Sequence, residues 1–124
     1  MKRYFYDSYA IIEYINDNPM YTKYFLENEG VTSFNNLMEV FYSILKEGGE
    51  KQALQMIELL KNILVEPVLA DISKSMNFKL KNKKINFSYI DCLGYSISNR
   101  LGIIFLTGNE GFRNLPNVEF VKAR

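Results

Sequence analysis

The sequence predicts an α/β domain in which helices cover both faces of a parallel sheet. Short, strongly apolar segments alternate with longer amphipathic segments along the whole chain. Strands that are buried on both faces have continuous apolar runs, and an intervening helix lets two strands pair in parallel. The 124 residues, of which 48% are hydrophobic, suit one domain with a substantial core. No linker, repeat or low-complexity segment interrupts residues 1–124, so we expect a single domain.

The apolar segments predict five strands in chain order. They lie at residues 3–7, 31–33, 63–68, 103–106 and 118–121. The fourth, Ile-Ile-Phe-Leu, is the most hydrophobic and runs directly into a polar turn.

Periodic apolar residues predict six helices between these strands. Two short helices cover 8–16 and 19–27, and the third ends at Gly48-Gly49. The other helices repeat the spacing that places apolar side chains on one helical face. The predicted buried faces of the last four helices are Leu37, Val40, Phe41, Ile44 and Leu45; Ala53, Ile57, Leu60 and Leu64; Leu69, Ile72, Met76 and Leu80; and Ile90, Leu93, Ile97 and Leu101.

Composition excludes several classes of chemistry. The chain has no histidine, so it lacks the usual acid–base group at neutral pH and any Cys/His zinc site. Neither GxxxxGK[ST] nor GxGxxG is present. The single cysteine, Cys92, excludes an internal disulfide and fits a reducing cytoplasm. A net charge of +1 says little about partners, and no apolar stretch approaches the roughly 20 residues of a membrane span.

Acidic and amide side chains occur where predicted strands pass into helices. Asp7 lies where the first strand passes into the first helix, Glu39 and Asp91 lie near the starts of two helices, and Asn109 follows the fourth strand. Because the carboxyl ends of parallel strands lie along one edge, we expect these side chains to line one crevice. Three crowded carboxylates repel one another unless a cation neutralises them, and oxygen ligands favour Mg²⁺ or Mn²⁺ over zinc.

Each acid also has a structural interpretation. Asp7 can cap the first helix, and Ser88 with Asp91 has the spacing of a capping box. Asn36 with Glu39 has a related spacing. Helix caps explain each residue singly, whereas a metal site explains why they gather.

Four segments of the chain resemble the PIN-domain nucleases, and within them the small VapC-like type. The segments are YFYDSYAIIEYI, NNLMEVFYSIL, FSYIDCLGYSIS and FLTGNEGFRNLPNVEFV. The resemblance implies a Rossmann-like, three-layer PIN domain with a five-stranded, mostly parallel sheet. It implies an endoribonuclease that cleaves single-stranded RNA with Mg²⁺ or Mn²⁺. It also implies a homodimer and, in toxin–antitoxin pairs, a small antitoxin that blocks the cleft.

The resemblance assigns the metal to the carboxylates of Asp7, Glu39 and Asp91. The fourth position of the family's acidic cluster is usually an aspartate in a T-x-D turn, but Asn109 occupies it here. An asparagine can offer a carbonyl oxygen but no charge, so a second metal would be held weakly. This departure keeps an alternative open, in which a catalytically weakened domain binds RNA or a protein without cutting.

Other polar residues are expected around this cluster. Thr107 is expected behind the metal ligands, with an ordinary turn hydroxyl as the alternative. Ser8 either caps the first helix or orients a carboxylate. Arg113 is a candidate for binding RNA phosphates, and the five lysines between residues 74 and 84 are weaker candidates.

A phospho-accepting receiver domain has a similar layout but different acids. Such a domain needs paired acids after its first strand and an aspartate after its third. Here Ser8 follows Asp7, and the third-strand region offers only Glu66 before Pro67. The metal-dependent nuclease therefore accounts for more of the polar residues.

Overall fold

A parallel sheet of five short strands forms the centre of the computed structural model, which describes residues 1–122. The strands are β1 (Arg3–Tyr6), β2 (Glu29–Ser33), β3 (Leu64–Val65), β4 (Ile104–Thr107) and β5 (Val118–Phe120). Their order across the sheet is β3-β2-β1-β4-β5, and every neighbouring pair is parallel. The predicted five-stranded sheet is confirmed, and Asp7 directly follows its central strand, β1.

Six helices connect and cover the strands. They are α1 (Ser8–Ile15), α2 (Pro19–Leu26), α3 (Phe34–Gly48), α4 (Glu50–Leu60), α5 (Leu69–Lys81) and α6 (Tyr89–Leu101). Short 3-10 turns occupy Lys61–Ile63 and Glu110–Phe112. Within the described residues, no helix combines the length and apolar character needed to cross a bilayer.

The side chains of β1 point alternately to the two faces of the sheet, and each face carries a hydrophobic core. Tyr4 and Tyr6 pack with apolar residues of α1, α2, α3 and α4. Phe5 points to the other face, where it stacks on Phe105 and packs with residues of α5 and α6. Because both faces are covered by helices, the predicted three-layer architecture is confirmed.

Helix α5 buries only one of its four predicted core residues, Met76, which is half-buried against the core that contains Phe5. The predicted core residues Leu69, Ile72 and Leu80 are 85%, 56% and 67% exposed. The buried positions are Asp71 and Ser75 instead. An Asp71 carboxylate oxygen accepts a 3.1 Å hydrogen bond from Nε of Arg100 on α6, and this ion pair fixes the rotation of α5. Apolar spacing predicted the helix correctly but not its buried face.

Three smaller predictions are also wrong. Helix α4 ends at Leu60, so Leu64 belongs to β3 and not to the helix. Leu45 and Leu101, placed in predicted core faces, are exposed because each lies in the last turns of its helix. The predicted strand at 63–68 contracts to Leu64–Val65, since a 3-10 turn precedes it and Pro67 follows.

Candidate active site

The predicted acidic cluster lines one cavity at the carboxyl edge of the sheet. The cavity has a volume of about 580 Å³. Its lining includes Asp7, Ser8, Glu39, Asp91 and Asn109. They come from four places far apart in sequence: the junction of β1 and α1, helix α3, helix α6 and the turn after β4. The fold therefore brings the four predicted site residues and Ser8 to one place.

Asp7 is the most deeply placed of the carboxylates. It is only 2% exposed, and it follows β1 as the N-cap residue of α1. Its Oδ1 accepts a 2.9 Å hydrogen bond from the backbone N–H of Ser8. Its Oδ2 accepts a 2.6 Å hydrogen bond from the hydroxyl of Thr107 at the end of β4. Two neighbouring strand ends thus hold the carboxylate in one orientation.

The environment of Asp7 disfavours its negative charge. Burial, and after it the charge of Asp91, raise the pKa of Asp7 to about 7. The hydrogen bonds from Thr107 and Ser8 act in the opposite direction, and the charge of Glu39 adds a smaller increase. Within residues 1–122, Asp7 forms no ion pair that would neutralise it. A buried carboxylate that has a negative neighbour and no ion pair would be stabilised by a cation in the cavity.

Asp91 lies at the start of α6 and is both a cap and a cavity residue. The Ser88 backbone N–H donates to its Oδ2 at 3.0 Å, and the Asp91 N–H donates to the Ser88 hydroxyl at 3.0 Å. The predicted capping box is therefore confirmed. The capping box uses only one carboxylate oxygen of Asp91, Oδ2. The side chain can therefore cap α6 and line the cavity at the same time.

Asn109 presents an amide donor, not a carbonyl oxygen, to the acids. Its Oδ1 accepts a 3.0 Å hydrogen bond from the backbone N–H of Gly111, and this donor fixes the orientation of the amide. Its Nδ2 then faces Oδ2 of Asp91 at 3.4 Å. In this conformation Asn109 supports Asp91 and does not extend the set of anionic ligands.

Thr107 connects the two sides of the site. Its hydroxyl donates to Asp7 and accepts a 3.0 Å hydrogen bond from the backbone N–H of Asn109. The side chain is fully buried and does not line the cavity. It therefore positions Asp7 from behind, and its hydroxyl does more than stabilise a turn.

A buried chain of polar side chains connects α1 to α3. Ser33, and not Asn36, is the N-cap of α3, so the predicted Asn36–Glu39 capping pair is wrong. The Asn36 amide instead donates to the Ser8 hydroxyl at 2.9 Å and accepts from the Ser33 hydroxyl at 2.6 Å. Asp7 caps α1, so the capping alternative for Ser8 is wrong as well. This network sets the position of α3, and hence of Glu39, relative to α1.

Glycine is required in the turn between Thr107 and Asn109. A Cβ atom at Gly108 would lie 2.2 Å from a ring carbon of Tyr9 and 2.7 Å from the hydroxyl oxygen of Tyr21. The Tyr9 ring therefore packs directly against the turn backbone. This close contact holds Asn109 at the edge of the cavity that Tyr9 also lines.

The predicted RNA-binding residues lie outside the cavity lining. Arg113 pairs with Glu110 at 3.5 Å, and its guanidinium lies 5.1 Å from the centre of the Phe120 ring. Of the predicted lysines, Lys79 donates to the Phe87 carbonyl and lies over the ring of Tyr89. None of the lysines between residues 74 and 84 lines the cavity.

Helix α3 contributes three cavity residues beside Glu39 that were not among the predicted site residues. Tyr42, Ser43 and Lys46 line the cavity together with Glu39. Their positions three, four and seven residues after Glu39 are those of one helical face. That spacing was visible in the sequence and was the signal that could have identified them.

The carboxylates that line the cavity suit a hard divalent cation, although they do not lie close enough together to bind one. Within residues 1–122, no three acidic or cysteine side chains lie close enough to hold a metal ion as they stand. The available atoms of Asp7, Glu39 and Asp91 are all carboxylate oxygens, which Mg²⁺ and Mn²⁺ prefer. Metal binding would therefore require these side chains to move together against their mutual repulsion.

Several solved structures share this fold over nearly their full length. A toxin–antitoxin complex from Klebsiella pneumoniae matches 96% of this chain and 98% of its own, with a TM-score of 0.78 and 13% identity. VapC20 from Mycobacterium tuberculosis, a toxin that cleaves the sarcin-ricin loop, matches 98% of both chains with a TM-score of 0.77 and 14% identity. A DNA-bound VapBC from Salmonella typhimurium matches 98% of both, with a TM-score of 0.75 and 17% identity.

These similarities define the fold of the chain. It has the PIN-domain fold of the VapC toxins, so the resemblance predicted from its four sequence segments is confirmed at that level. No protein-family model and no curated protein matches the chain in sequence.

Proposed function

We propose that this protein is a VapC-like, metal-dependent endoribonuclease that cleaves single-stranded RNA. The observation that carries the proposal is the buried carboxylate of Asp7, which shares one cavity with Asp91 and Glu39 and has its pKa raised to about 7. A carboxyl group whose pKa is raised by burial and a neighbouring charge in a cavity is typical of functional sites. The fold similarity to a toxin that cleaves the sarcin-ricin loop supports RNA as the substrate.

In this proposal, Asp7, Glu39 and Asp91 hold one Mg²⁺ or Mn²⁺ ion. When bound, such an ion would supply the positive charge and Lewis acidity that phosphodiester hydrolysis needs. Thr107 keeps the Asp7 carboxylate turned to the cavity, and Asn109 with Ser88 orients Asp91. The protein thus positions the carboxylates through neutral donors, which leave their negative charge available to a cation.

The proposal predicts that wild-type protein cleaves a single-stranded RNA oligonucleotide in Mn²⁺ or Mg²⁺ and is inactive in EDTA. Glu39→Gln and Asp91→Asn should each lower metal affinity in calorimetric titration and lower the cleavage rate. Asn at position 91 retains an oxygen that can accept from Ser88, so a fall in metal affinity would not reflect a lost cap. If Asp91 serves only as a helix cap and Glu39 only as a helix residue, both variants bind metal like wild type, and Asp91→Asn loses at most the roughly 0.5–2 kcal/mol of a weakened cap.

A matched control removes an acid elsewhere on the surface. Asp17 is exposed and adopts a positive φ of 60°, a conformation that asparagine tolerates well. Asp17→Asn therefore changes the net charge by the same amount without touching the cavity. Cleavage that persists in EDTA, or that Asp17→Asn reduces as strongly as Asp91→Asn, would contradict the proposal.

The second candidate is a domain that binds RNA or a protein without cutting. Asn109 favours it, because a neutral amide that donates to Asp91 stands where the similar family usually has an acid. The same experiment separates the two functions. RNA binding that is retained without cleavage in either metal would support the binding module and exclude the nuclease.

We propose a small antitoxin as the protein partner, since several of the similar structures are toxin–antitoxin complexes. An apolar groove of about 450 Å³ between α1, α2 and α4 offers a surface for it, separate from the acidic cavity. Tyr14, Phe25 and Leu59 line this groove, and Leu59 is 70% exposed.

The partner proposal predicts that a small protein is encoded beside this chain, and that this protein binds the chain and inhibits RNA cleavage. Leu59→Glu should weaken the complex at least tenfold, because it places a charge in the apolar groove. Leu54→Glu on the same helix is the control, since Leu54 is exposed but does not line the groove. Titration by calorimetry measures both, and equal losses in the two variants would exclude this groove.

Two further features implied by the resemblance remain proposals. The exposed apolar residues of α5 offer a surface for the proposed homodimer. Sedimentation of the purified protein measures its oligomeric state. The only cysteine, Cys92, is buried and free, which is compatible with the proposed cytoplasmic location.

A further inference from the structure

Helix α3 places an aromatic ring and a cation at the acidic cavity, and neither is used by the metal site proposed above. Tyr42 is 65% exposed and Lys46 is exposed, yet both line the cavity that holds Asp7 and Asp91. They lie one and two turns after Glu39 on the same face of α3. The helix that supplies a candidate metal ligand thus continues as a wall of the cavity.

Lys46 is not engaged by the acids around it. Within residues 1–122 it forms no ion pair, although Glu39 and Glu110 line the same cavity. Its Nζ lies instead 5.5 Å from the centre of the Tyr42 ring. A lysine near the end of a helix is favoured by the helix dipole, but the dipole does not explain its place at an acidic cavity over an exposed ring.

This pair has the chemistry that binds single-stranded nucleic acid. Proteins bind single strands by combining cations for the phosphates with aromatic rings on which bases stack. The acids repel a phosphodiester chain, so a substrate needs positive charge close to the cut site. Lys46 is the one cationic side chain of residues 1–122 that lines this cavity.

We propose that Lys46 and Tyr42 bind the RNA substrate beside the metal site. Lys46 pairs with a phosphate next to the one that is cleaved, and Tyr42 stacks on a neighbouring base. This inference rests on the proposed ribonuclease function and specifies which face of the cavity receives the strand. Lys46 lines the cavity, whereas Arg113, the other candidate for binding phosphates, does not line it and pairs with Glu110 at 3.5 Å.

The test compares substitutions at the two positions with matched controls. Lys46→Gln removes the cation, and Lys51→Gln on α4 removes an exposed cation that does not line the cavity. Tyr42→Ala removes the ring, Tyr42→Phe retains it, and Phe34→Ala removes an exposed ring elsewhere on α3. Cleavage of a single-stranded RNA oligonucleotide in Mn²⁺ gives kcat and KM for each protein. Fluorescence anisotropy with labelled RNA gives Kd over a range of salt concentrations in an Asp7→Asn background.

The inference predicts a loss of substrate binding at both positions. Lys46→Gln should raise KM and reduce the slope of log Kd against log salt concentration by about 0.7, the value for one phosphate contact on a single strand. Tyr42→Ala should weaken RNA binding by about five- to a hundredfold, and Tyr42→Phe should restore most of it. Both losses should appear in KM more than in kcat.

The outcomes separate this inference from the function beneath it. Wild type that cleaves RNA with metal, together with Lys46→Gln and Tyr42→Ala variants that match their controls in KM and salt slope, would overturn the inference and leave the nuclease standing. Wild type that neither cleaves nor binds RNA would overturn both. A lysine variant that changes metal affinity but not RNA affinity would also overturn it, since Lys46 would then act only on the acids.

Discussion

Asp7→Asn is expected to lower RNA cleavage by more than about a hundredfold while the protein remains folded. Loss of a residue that only orients a metal ligand typically costs about 10–100-fold, and Asp7 is proposed to be a ligand itself. An asparagine retains the hydrogen bond from the Ser8 N–H to its oxygen, and its amide can donate to the Thr107 hydroxyl, which reverses the direction of the bond that Thr107 donates to Asp7. Circular dichroism and RNA cleavage on the same sample measure both effects, and full activity in Mg²⁺ would contradict the assignment.

The same substitution is expected to change how stability depends on pH in the absence of metal. Burial and the charge of Asp91 raise the pKa of Asp7 from 3.8 to about 7. Between these values the folded protein holds a proton that the unfolded chain has released. Wild type in EDTA should therefore lose stability as the pH rises from about 4 to about 7, by about 4 kcal/mol in total from this group.

Asp7→Asn should remove this part of the pH dependence and make the metal-free protein more stable than wild type at pH 8. Addition of Mn²⁺ should raise the Tm of wild type at pH 8 and leave the Tm of Asp7→Asn nearly unchanged. Asp17→Asn, with the same charge change at an exposed site, should follow wild type in every condition. Thermal melts at several pH values measure these differences, and a parallel pH profile for wild type and Asp7→Asn would exclude a destabilising charge at Asp7.

Asn109→Asp is expected to make the fold more dependent on metal. One carboxylate oxygen at position 109 would still accept from the Gly111 N–H, so the other would replace Nδ2 at 3.4 Å from Oδ2 of Asp91. A weak attraction would become a repulsion between two like charges. In EDTA the Tm should fall by several degrees. With Mn²⁺ it should recover by more than wild type gains, because a fourth carboxylate strengthens cation binding.

The negative charge that Asn109→Asp adds is also expected to change the rate of RNA cleavage. A fourth acid should favour a second divalent ion and raise the cleavage rate in Mn²⁺, since paired metals stabilise both the attacking and the leaving oxygen. Asn109→Ala is the control, because it removes both hydrogen bonds without adding charge. It should lower the Tm equally with and without metal. An Asn109→Asp protein that responds to Mn²⁺ like wild type would show that this side chain does not act on the acids.

The sequence alone determined the fold class and the gathering of the acids. Strands with continuous apolar residues require helices on both faces, and this requirement holds whatever the details of packing. Parallel strands end at one edge, so Asp7 and Asn109 had to lie near each other once β1 and β4 were neighbours. Asp91 could be placed because the Ser88–Asp91 spacing marks the start of α6.

The tertiary structure decided what local patterns left ambiguous. Periodicity identifies a helix but not its buried face when polar residues find partners on the other side, as Asp71 does with Arg100. Nothing local distinguishes Asn36 as a cap from Asn36 as a buried link to Ser8, because that choice depends on a residue 28 positions away. The direction of the Asn109 amide follows from the Gly111 N–H and the nearby Asp91. The sequence therefore determined which chemical groups reach the edge of the sheet, whereas long-range hydrogen bonds and packing decided which way each of them points.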